Sequence, residues 1–355
     1  MAVHNGEPYL REAIESVLTQ SMTDFEFLIV DDASTDETAS ILAEYRSHDS
    51  RIRVFHNAST LGPFPSTNLG LRHALGEFVA RHDADDISCP ERFAVQLEAL
   101  RSDPGVCLVS GPLEIFGGDR GEVIRIHRPE TWQPRLEWEL LFVNAAGTGA
   151  NVMFPRVFRG TPVLFPARHA YAEDYGLWCS LSRLGRVVFL PEVVYRYRQH
   201  GSSITGRKKA EQDDCFSRIR HEYQSHYLRS IVGRHTSTEL SRFWTTEGSR
   251  PLAEDVERIV SVLTELSENF LTYIEQRYGR LERATREAEL DRTVCDLLGY
   301  WLYRSMKTLD KRACGEVLSL AGSRGKGVNV AGKAVELTAS AVLRRLRRRS
   351  SERQS

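Results

Sequence analysis

The stretch Phe25-Glu-Phe-Leu-Ile-Val30, which is followed at once by Asp31-Asp32, decides the fold that the sequence predicts. Its apolar residues run almost continuously instead of alternating with polar ones, which is typical of a parallel strand covered on both faces. Ser34-Thr-Asp36 then opens a helical pattern that continues to about Tyr45, with Ser34 as the expected N-cap. A buried strand followed directly by a helix is the unit from which doubly wound sheets are built.

The same alternation of strand and helix extends over the first 110 residues. A helical pattern over Tyr9–Gln20 precedes the strand, and another over Ser66–Leu75 follows it. The other predicted elements are strands at Ile52–Phe55, Phe78–Arg81 and Cys107–Ser110, and a helix over Pro90–Leu100. This order predicts an α/β fold with a Rossmann-like, mostly parallel sheet flanked by helices.

Beyond residue 110 the sequence divides into three parts. Residues 111–205 contain strand patterns at Val152–Phe154, Val187–Leu190 and Val193–Tyr197, and a helix over Glu173–Leu184 that ends at Gly185. We expect them to complete a first domain over residues 1–205. Residues 206–321 indicate a helical region, and residues 322–355 indicate a Gly-rich hinge and a basic amphipathic tail.

The composition is that of an ordinary soluble globular protein. The 355 residues are 41% hydrophobic and 27% charged, with a net charge of -1. Because this charge is near zero, it gives no reason to expect a nucleic-acid partner. No apolar run approaches the ~20 residues that span a bilayer, and the N-terminus has no signal-peptide pattern. The six cysteines are scattered without the spacing of a zinc site or disulfide framework, so we expect a cytoplasmic location.

Two acidic clusters follow predicted strands, where a doubly wound sheet binds its ligands. Asp31-Asp32 follows the first strand, and Asp83-Ala84-Asp85-Asp86 follows the strand at Phe78–Arg81. Carboxylates beside a diphosphate need a divalent cation between them, and Mg²⁺ or Mn²⁺ shares oxygen ligands with phosphates. A lone D-x-D is also typical of a solvated acidic turn, so the other motifs of the sequence have to distinguish the two interpretations.

Several motifs over the first hundred residues, in their expected order, resemble glycosyltransferase family 2. They are Asn5-Gly-Glu7, Ala13–Gln20, Asp24-Phe-Glu26, Ile29–Asp36, Asn68-Leu-Gly70, Gly76-Glu77 and Asp83–Arg92, with a weaker match from Glu173-Asp174 to Arg198-x-His200. The resemblance covers about the first 205 residues. It implies a GT-A fold, with residues 1–110 as the nucleotide-sugar-binding half and residues 111–205 as the acceptor half. It also implies a nucleotide-sugar donor, most simply a UDP-sugar, a divalent metal (Mn²⁺ or Mg²⁺) and inversion at the anomeric carbon.

The resemblance implies roles for single residues on the donor side. Asp32 is expected to accept a hydrogen bond from the nucleobase. Asp85 is the expected direct metal ligand, and Asp83 is expected nearer the ribose or diphosphate, with a share in the metal site. His200 is either a further metal or phosphate contact or an exposed loop residue. Asp86 either supports the ligands or only supplies negative charge at the start of the next turn. The motifs also assign Ala2, Val3, Asn5 and Asn68 to donor binding.

An inverting transfer needs a general base that deprotonates the acceptor hydroxyl. In Ala172-Glu173-Asp174-Tyr175 the resemblance implies that Asp174 is this base, with Glu173 as the alternative. Acidic residues are also common in the first turn of a helix because they complement its dipole. The expected acceptor is a cell-surface glycan or a lipid-linked saccharide.

Each end of the chain carries an expectation of its own. Residues 328–349 are expected either to lie on anionic lipid at the inner face of the cell membrane or to form a docked helix with a basic tail. Relatives usually begin with an apolar strand whose end corresponds to Met1, so the first strand of the fold is expected to be missing. A start codon assigned too late and a truncated, inactive gene product are the two explanations.

Two other functions remain open at this point. A truncated domain with its helical region would act only as a binding or assembly partner. A sugar-1-phosphate nucleotidyltransferase also uses a Rossmann-like sheet and Mg²⁺. It would carry a Gly-rich basic loop near its start, which residues 1–20 lack.

Overall fold

The computed structural model describes residues 1–117, 121–128, 133–142, 144–145, 149–169, 172–200, 209–227, 269–270, 272–277 and 279. The chain divides into two compact units, Met1–Arg220 and His221–Ser355, and most described residues belong to the first. The predicted hinge and the basic tail at 328–349 lie outside the described residues. No described helix is long and apolar enough to cross a membrane.

The described helices and strands follow the predicted order closely. The helices are α1 (Glu7–Leu18), α2 (Thr38–His48), α3 (Pro63–His73), α4 (Arg92–Arg101), α5 (Gln133–Leu140), α6 (Glu173–Leu184) and α7 (Lys209–Tyr227), with a 3-10 turn at Ala167–His169. The strands are β1 (Ala2–Val3), β2 (Phe27–Asp31), β3 (Ile52–His56), β4 (Phe78–Ala80), β5 (Ile87–Ser88), β6 (Val106–Ser110), β7 (Leu113–Gly117), β8 (Glu122–His127), β9 (Met153–Pro155), β10 (Val157–Phe158), β11 (Thr161–Pro162), β12 (Arg186–Phe189) and β13 (Tyr195–Gln199).

Parallel pairing connects most of the strands that the sequence predicts, so the α/β prediction is confirmed. β1, β2 and β3 pair in parallel in that order, and β6 pairs in parallel with β12. β9 runs antiparallel between β4 and β6, and the pairs β7–β8, β5–β13 and β10–β11 are antiparallel as well. A parallel bridge between Ala2 and Asp83 connects β1 to the segment after β4. The carboxyl ends of β1, β2 and β4 therefore lie side by side.

The apolar run that predicted β2 is buried. Ile29 of β2 and Leu10 and Ile14 of α1 are all 0% exposed and belong to one apolar cluster, which also includes Val109 of β6. Helix α3 also contacts β2. Helices that precede and follow β2 in the chain, α1 and α3, therefore both cover this strand. For this reason its residues need not alternate between apolar and polar.

The predicted N-cap of α2 is wrong. The helix begins at Thr38, and Ser34 lies in the preceding loop, where its hydroxyl accepts the N–H of Asn5 at 2.9 Å. The carboxylate of Asp36 accepts the N–H of Thr38 at 3.0 Å and the N–H of Glu7 at 3.1 Å. Asp36 thus connects the starts of α1 and α2, and this tertiary contact decides where α2 begins.

An apolar groove lies between β2 and β4, next to β1. β1 lies where the resemblance places the end of the first strand, and the Met1 amine donates a hydrogen bond to the Leu28 carbonyl at 2.9 Å. Beyond Met1, side chains that include Phe27 and Phe78 line a cavity of about 820 Å³. Burial, followed by the positive charge of Arg81, lowers the pKa of the Met1 amine to about 5.

Candidate active site

The two predicted acidic clusters lie at the carboxyl ends of neighbouring strands. Asp31 ends β2, and Asp32 follows it. Asp83 and Asp85 follow β4, and the bridge from Ala2 to Asp83 joins the two regions across β1. The clusters therefore lie along the edge of the sheet at which doubly wound folds bind their ligands.

Asp32 is 2% exposed, and its carboxylate holds the loop after β3. It accepts the N–H of Leu61 at 2.9 Å, the N–H of Gly62 at 2.8 Å and the side-chain amide of Asn57 at 2.7 Å. Burial opposes the charge, but these donors outweigh it and lower the pKa of Asp32. Asp31 instead caps the following turn by accepting the N–H of Ser34 at 3.0 Å. The nucleobase contact of Asp32 stays a prediction.

The other predicted donor-binding residues lie in β1, in the loop after it and in α3. Ala2 and Val3 lie in β1, with Ala2 beside Asp83. Asn5 accepts the N–H of Thr35 at 2.8 Å and so orders the loop before α2. The Asn68 amide donates to the Phe165 carbonyl at 2.7 Å and accepts the Phe165 N–H at 2.9 Å. Asn68 thus positions the segment around Phe165, and its contact with a donor stays a prediction.

Asp85 and His200 lie within hydrogen-bonding distance of each other, and a contact of His200 with a metal or a phosphate stays a prediction. The His200 Nε2 lies 2.9 Å from the Asp85 Oδ2, and the His200 side chain is only 15% exposed. Burial, followed by the negative charge of Asp83, raises the pKa of Asp85.

This pair fits a divalent cation. Carboxylate and imidazole are both ligands of Mn²⁺, and crowded negative charge is relieved by a cation. No group of three or more His, Cys, Asp or Glu side chains converges among the residues that the structure describes. Cations that act on phosphate substrates usually take part of their coordination from phosphate oxygens and water.

Asp86 lies beneath the D-x-D turn. Its side chain is 0% exposed, and its Oδ1 accepts the N–H of Arg198 at 2.8 Å. Burial, with the charges of Asp83 and Asp85, raises the pKa of Asp86 well above its usual range. The Arg198 guanidinium donates to the Asp85 carbonyl at 2.8 Å and pairs with Glu12. Asp86 and Arg198 therefore connect the D-x-D turn to β13.

Asp174 is the more accessible of the two acids in the first turn of α6. Glu173 is 4% exposed, whereas Asp174 is partly exposed. The Asp174 carboxylate accepts the N–H of Tyr175 at 2.7 Å and the side-chain amide of Asn144 at 3.1 Å. Burial raises the pKa of Asp174, although the Tyr175 N–H and the charge of Arg81 act in the opposite direction. The geometry thus favours Asp174 over Glu173 as the general base.

Sequence reasoning missed Arg81, which directly follows β4. It is 7% exposed, and its guanidinium forms an ion pair with Asp83 at 2.8 Å. A methyl group on Gly149 would lie 3.2 Å from the Arg81 Nη1 and 3.2 Å from the Asp174 Cβ. Arg81 thus brings the predicted donor-side carboxylate and the predicted base together. The available signal was a cation that ends an apolar strand two positions before a D-x-D.

The chain is similar in sequence to glycosyltransferases. The family model described as Glycosyl transferase family 2 matches residues 1–158. An uncharacterized glycosyltransferase of Haemophilus influenzae is 31% identical over 238 residues, which cover 65% of this chain and 74% of that protein. TuaG of Bacillus subtilis, named for teichuronic acid biosynthesis, is 30% identical over 215 residues, which cover 58% and 79% of the two chains.

The fold is similar to that of a solved glycosyltransferase structure. S. aureus TarS 1-349 in complex with UDP-GlcNAc superposes with a TM-score of 0.55, at 16% identity. The match covers 92% of this chain and 90% of that one. At this identity the likeness concerns the fold, and it confirms the predicted GT-A architecture.

Proposed function

We propose, from the premise that this chain belongs to glycosyltransferase family 2, that it transfers a sugar from a UDP-sugar to a hydroxyl group with inversion at the anomeric carbon. The acceptor in this proposal is a cell-surface glycan or a lipid-linked saccharide. The TarS structure of similar fold contains UDP-GlcNAc, which is consistent with a UDP-sugar donor. The name of TuaG, which refers to teichuronic acid biosynthesis, is consistent with a glycan acceptor.

The observation that carries the proposal is the position of Arg81 between Asp83 and Asp174. An inverting displacement needs a base near the attacking hydroxyl and stabilisation of the leaving diphosphate on the other side of the sugar. Asp174 provides the carboxylate for the first task. The turn that contains Asp83 and Asp85 provides the second. Arg81 forms an ion pair with Asp83, and its Nη1 faces Gly149 on the side where Asp174 lies, which supports placing both functions in one site.

In the proposed reaction, Asp174 accepts the proton of the acceptor hydroxyl as the new bond from oxygen to the anomeric carbon forms. The bond between that carbon and the β-phosphate oxygen breaks, and its electron pair leaves with UDP. A divalent cation, when bound, would neutralise charge on the leaving diphosphate. Asp85 and His200 are the residues that would hold it, with Asp83 nearby on the same turn.

Assays of UDP-sugar transfer and hydrolysis with Mn²⁺ test this function. We expect Asp85→Ala to abolish metal-dependent donor binding, because it removes the carboxylate paired with His200. We expect Asp174→Asn to preserve donor binding and to lower transfer by about 100-fold or more, the usual effect of losing a general base. Donor binding is measured by thermal shift, and transfer by release of UDP.

Asp49→Asn is the matched control, because Asp49 pairs with Arg51 in the loop before β3 and should leave binding and transfer unchanged. Normal transfer by both site variants would refute the assigned roles. Donor binding without turnover of any nucleotide sugar, in a folded wild-type chain, would favour a binding partner over an enzyme of this kind.

A further inference from the structure

We propose that Arg81 is a positioning residue for the transfer step, which holds Asp83 and Asp174 in their working arrangement and does not itself bind the donor. This inference rests on the proposed function. Arg81 belongs neither to the D-x-D motif nor to the two candidate bases, Asp174 and Glu173.

The guanidinium is fixed by aromatic rings. Its central carbon lies 5.2 Å from the ring centroid of Phe64 and 5.9 Å from that of Phe165. Arginine stacks on aromatic rings and keeps a planar, rigid set of donors. Because the side chain is also 7% exposed, it cannot turn toward solvent, and the direction of its N–H groups is set by the fold.

Among the residues that the structure describes, the one polar contact of the Arg81 side chain is with the carboxylate of Asp83. Nη2 binds the Asp83 carboxylate at 2.8 Å, and Nη1 lies on the side of Gly149 and Asp174. Nε is buried and makes no hydrogen bond to any residue that the structure describes. Buried N–H groups without a hydrogen-bond acceptor are rare in proteins. The fold therefore keeps the positive charge of Arg81 at this place although its Nε–H lacks an acceptor among the described residues.

Arg92 shows what a structural arginine looks like in the same protein. It is 0% exposed, and its N–H groups bind Gln96, Ser88 and the carbonyls of Arg81, Ala150 and Val152 at 2.6 to 3.2 Å. These partners are neutral, and they connect strands and a helix. Arg81, in contrast, binds one acid of the candidate active site, Asp83, and lies across Gly149 from a second, Asp174.

The charge of Arg81 separates two acids that would otherwise repel each other. Burial raises the pKa of Asp174, the charge of Asp83 raises it further, and Arg81 lowers it. The Tyr175 N–H and the Asn144 amide are the other groups that act on this carboxylate. Cys179, on the same helix, stays a neutral thiol because burial raises its pKa well above the usual value. Arg81 is therefore a cation that, together with the Tyr175 N–H, opposes the effect of burial on the pKa of Asp174 and favours its ionised form.

Gly149 allows the close approach of Arg81 to α6. A methyl group at this position would lie 3.2 Å from both the Arg81 Nη1 and the Asp174 Cβ, closer than an ordinary van der Waals contact. Any side chain at position 149 would therefore push the guanidinium and the carboxylate apart. Gly149→Ala thus disturbs the same contact while leaving Arg81 and Asp174 in the chain.

The test compares Arg81→Gln and Arg81→Lys in the full-length protein. For Arg81→Gln we expect kcat to fall by about 30-fold or more while the donor KM stays within about threefold of wild type, because only the transition-state step is affected. The acidic limb of the pH profile of kcat/KM should move up by about one unit, since a neighbouring opposite charge is lost. Arg81→Lys should restore the position of that limb and only part of kcat, because lysine lacks the planar fork.

Two further variants keep the test decisive. Arg186→Gln removes an exposed arginine paired with Asp103, and we expect wild-type kcat, KM and pH profile. If Arg81→Gln fails to fold, Gly149→Ala replaces it, with the same expected fall in kcat at nearly constant KM.

A donor KM raised by about tenfold at unchanged kcat would overturn the proposal, because Arg81 would then be a donor contact. Wild-type kcat in both Arg81→Gln and Gly149→Ala would overturn it as well. An NMR titration of the Asp174 carboxyl group gives a readout that needs no turnover, and an equal pKa in wild type and Arg81→Gln would refute the electrostatic role. An inactive wild-type chain would refute the proposed function instead, so the two failures are distinguishable.

Discussion

At the scale of the single residue, the three hydrogen bonds that Asp32 accepts determine how much free energy of unfolding its replacement removes. Asp32→Ala leaves the N–H groups of Leu61 and Gly62 without an acceptor at a site that is 2% exposed. Each buried donor left unsatisfied costs about 1–3 kcal/mol, so we expect the free energy of unfolding to fall by about 2 kcal/mol or more. Urea denaturation measures this change. Asp31→Ala, which removes the cap of a single turn, should cost about 1 kcal/mol, and an equal cost in both variants would contradict the argument.

The same carboxylate gives the stability a dependence on pH. Its pKa is lowered in the folded chain, so Asp32 contributes stability above the unfolded value of about 3.9 and loses this contribution as the pH falls through the folded value. The wild type should therefore lose stability on acidification more steeply than Asp32→Asn. Parallel urea titrations between pH 6 and 3, at about half-unit steps, would show whether the slopes differ.

For single residues, the sequence indicated which acids belong to the candidate site better than it indicated which side chains they contact. The acids of the D-x-D and the first turn of α6 were identified from motifs, yet the pairing of Asp85 with His200 joins positions 115 apart in the chain. Arg81 was missed for the same reason, since its second acid lies on α6 and becomes a neighbour only through Gly149. Local patterns contain no information about such contacts, because the packing of distant elements creates them.

At the scale of elements, the groove beside β1 has a consequence that can be measured. Met1 pairs with Leu28 and Val30 of β2, and beyond it the groove between β2 and β4 is lined largely by apolar side chains. We expect four β-branched apolar residues fused before Met1 to continue β1 into this groove, because each buried side chain contributes about 1.5–3 kcal/mol against an ordering cost of about 1–2 kcal/mol. The melting temperature should rise by about 5 °C, and four Lys or Glu residues fused at the same place should not raise it.

Some element boundaries agree with the sequence pattern and others do not. The helix Glu173–Leu184 ends before Gly185 as predicted; Gly185 is extended, and a methyl group there would lie 2.7 Å from the Phe158 ring. The start of α2 was wrong, because a carboxylate that also binds the start of α1 fixes it. β9 was predicted as a strand, but its antiparallel place between β4 and β6 depends on pairing that no local signal specifies.

At the scale of the whole molecule, the order of strands and helices was enough for the α/β class, because connection rules leave few arrangements for such an order. The extent of the first domain stays a prediction, since a helical pattern does not show which body the helix joins. The sequence predicts a domain end at 205, whereas the compact unit of the structure extends to Arg220, within α7. On α7, Cys215 and Ile219 are buried, and the Phe216 ring lies 5.4 Å from that of Tyr175.

These contacts predict how the chain responds to truncation. Residues 1–227 should unfold cooperatively and bind UDP with Mn²⁺ as the full chain does, because they include the whole of α7. Residues 1–205 should be less stable by several kcal/mol, since each buried apolar side chain lost costs about 1.5–3 kcal/mol, and Arg220 no longer donates to the Phe142 carbonyl. Circular dichroism with urea and thermal shift with UDP measure both effects. Equal stability of the two fragments would place the domain end at 205, and an unfolded 1–227 fragment would show that the first unit depends on residues beyond α7.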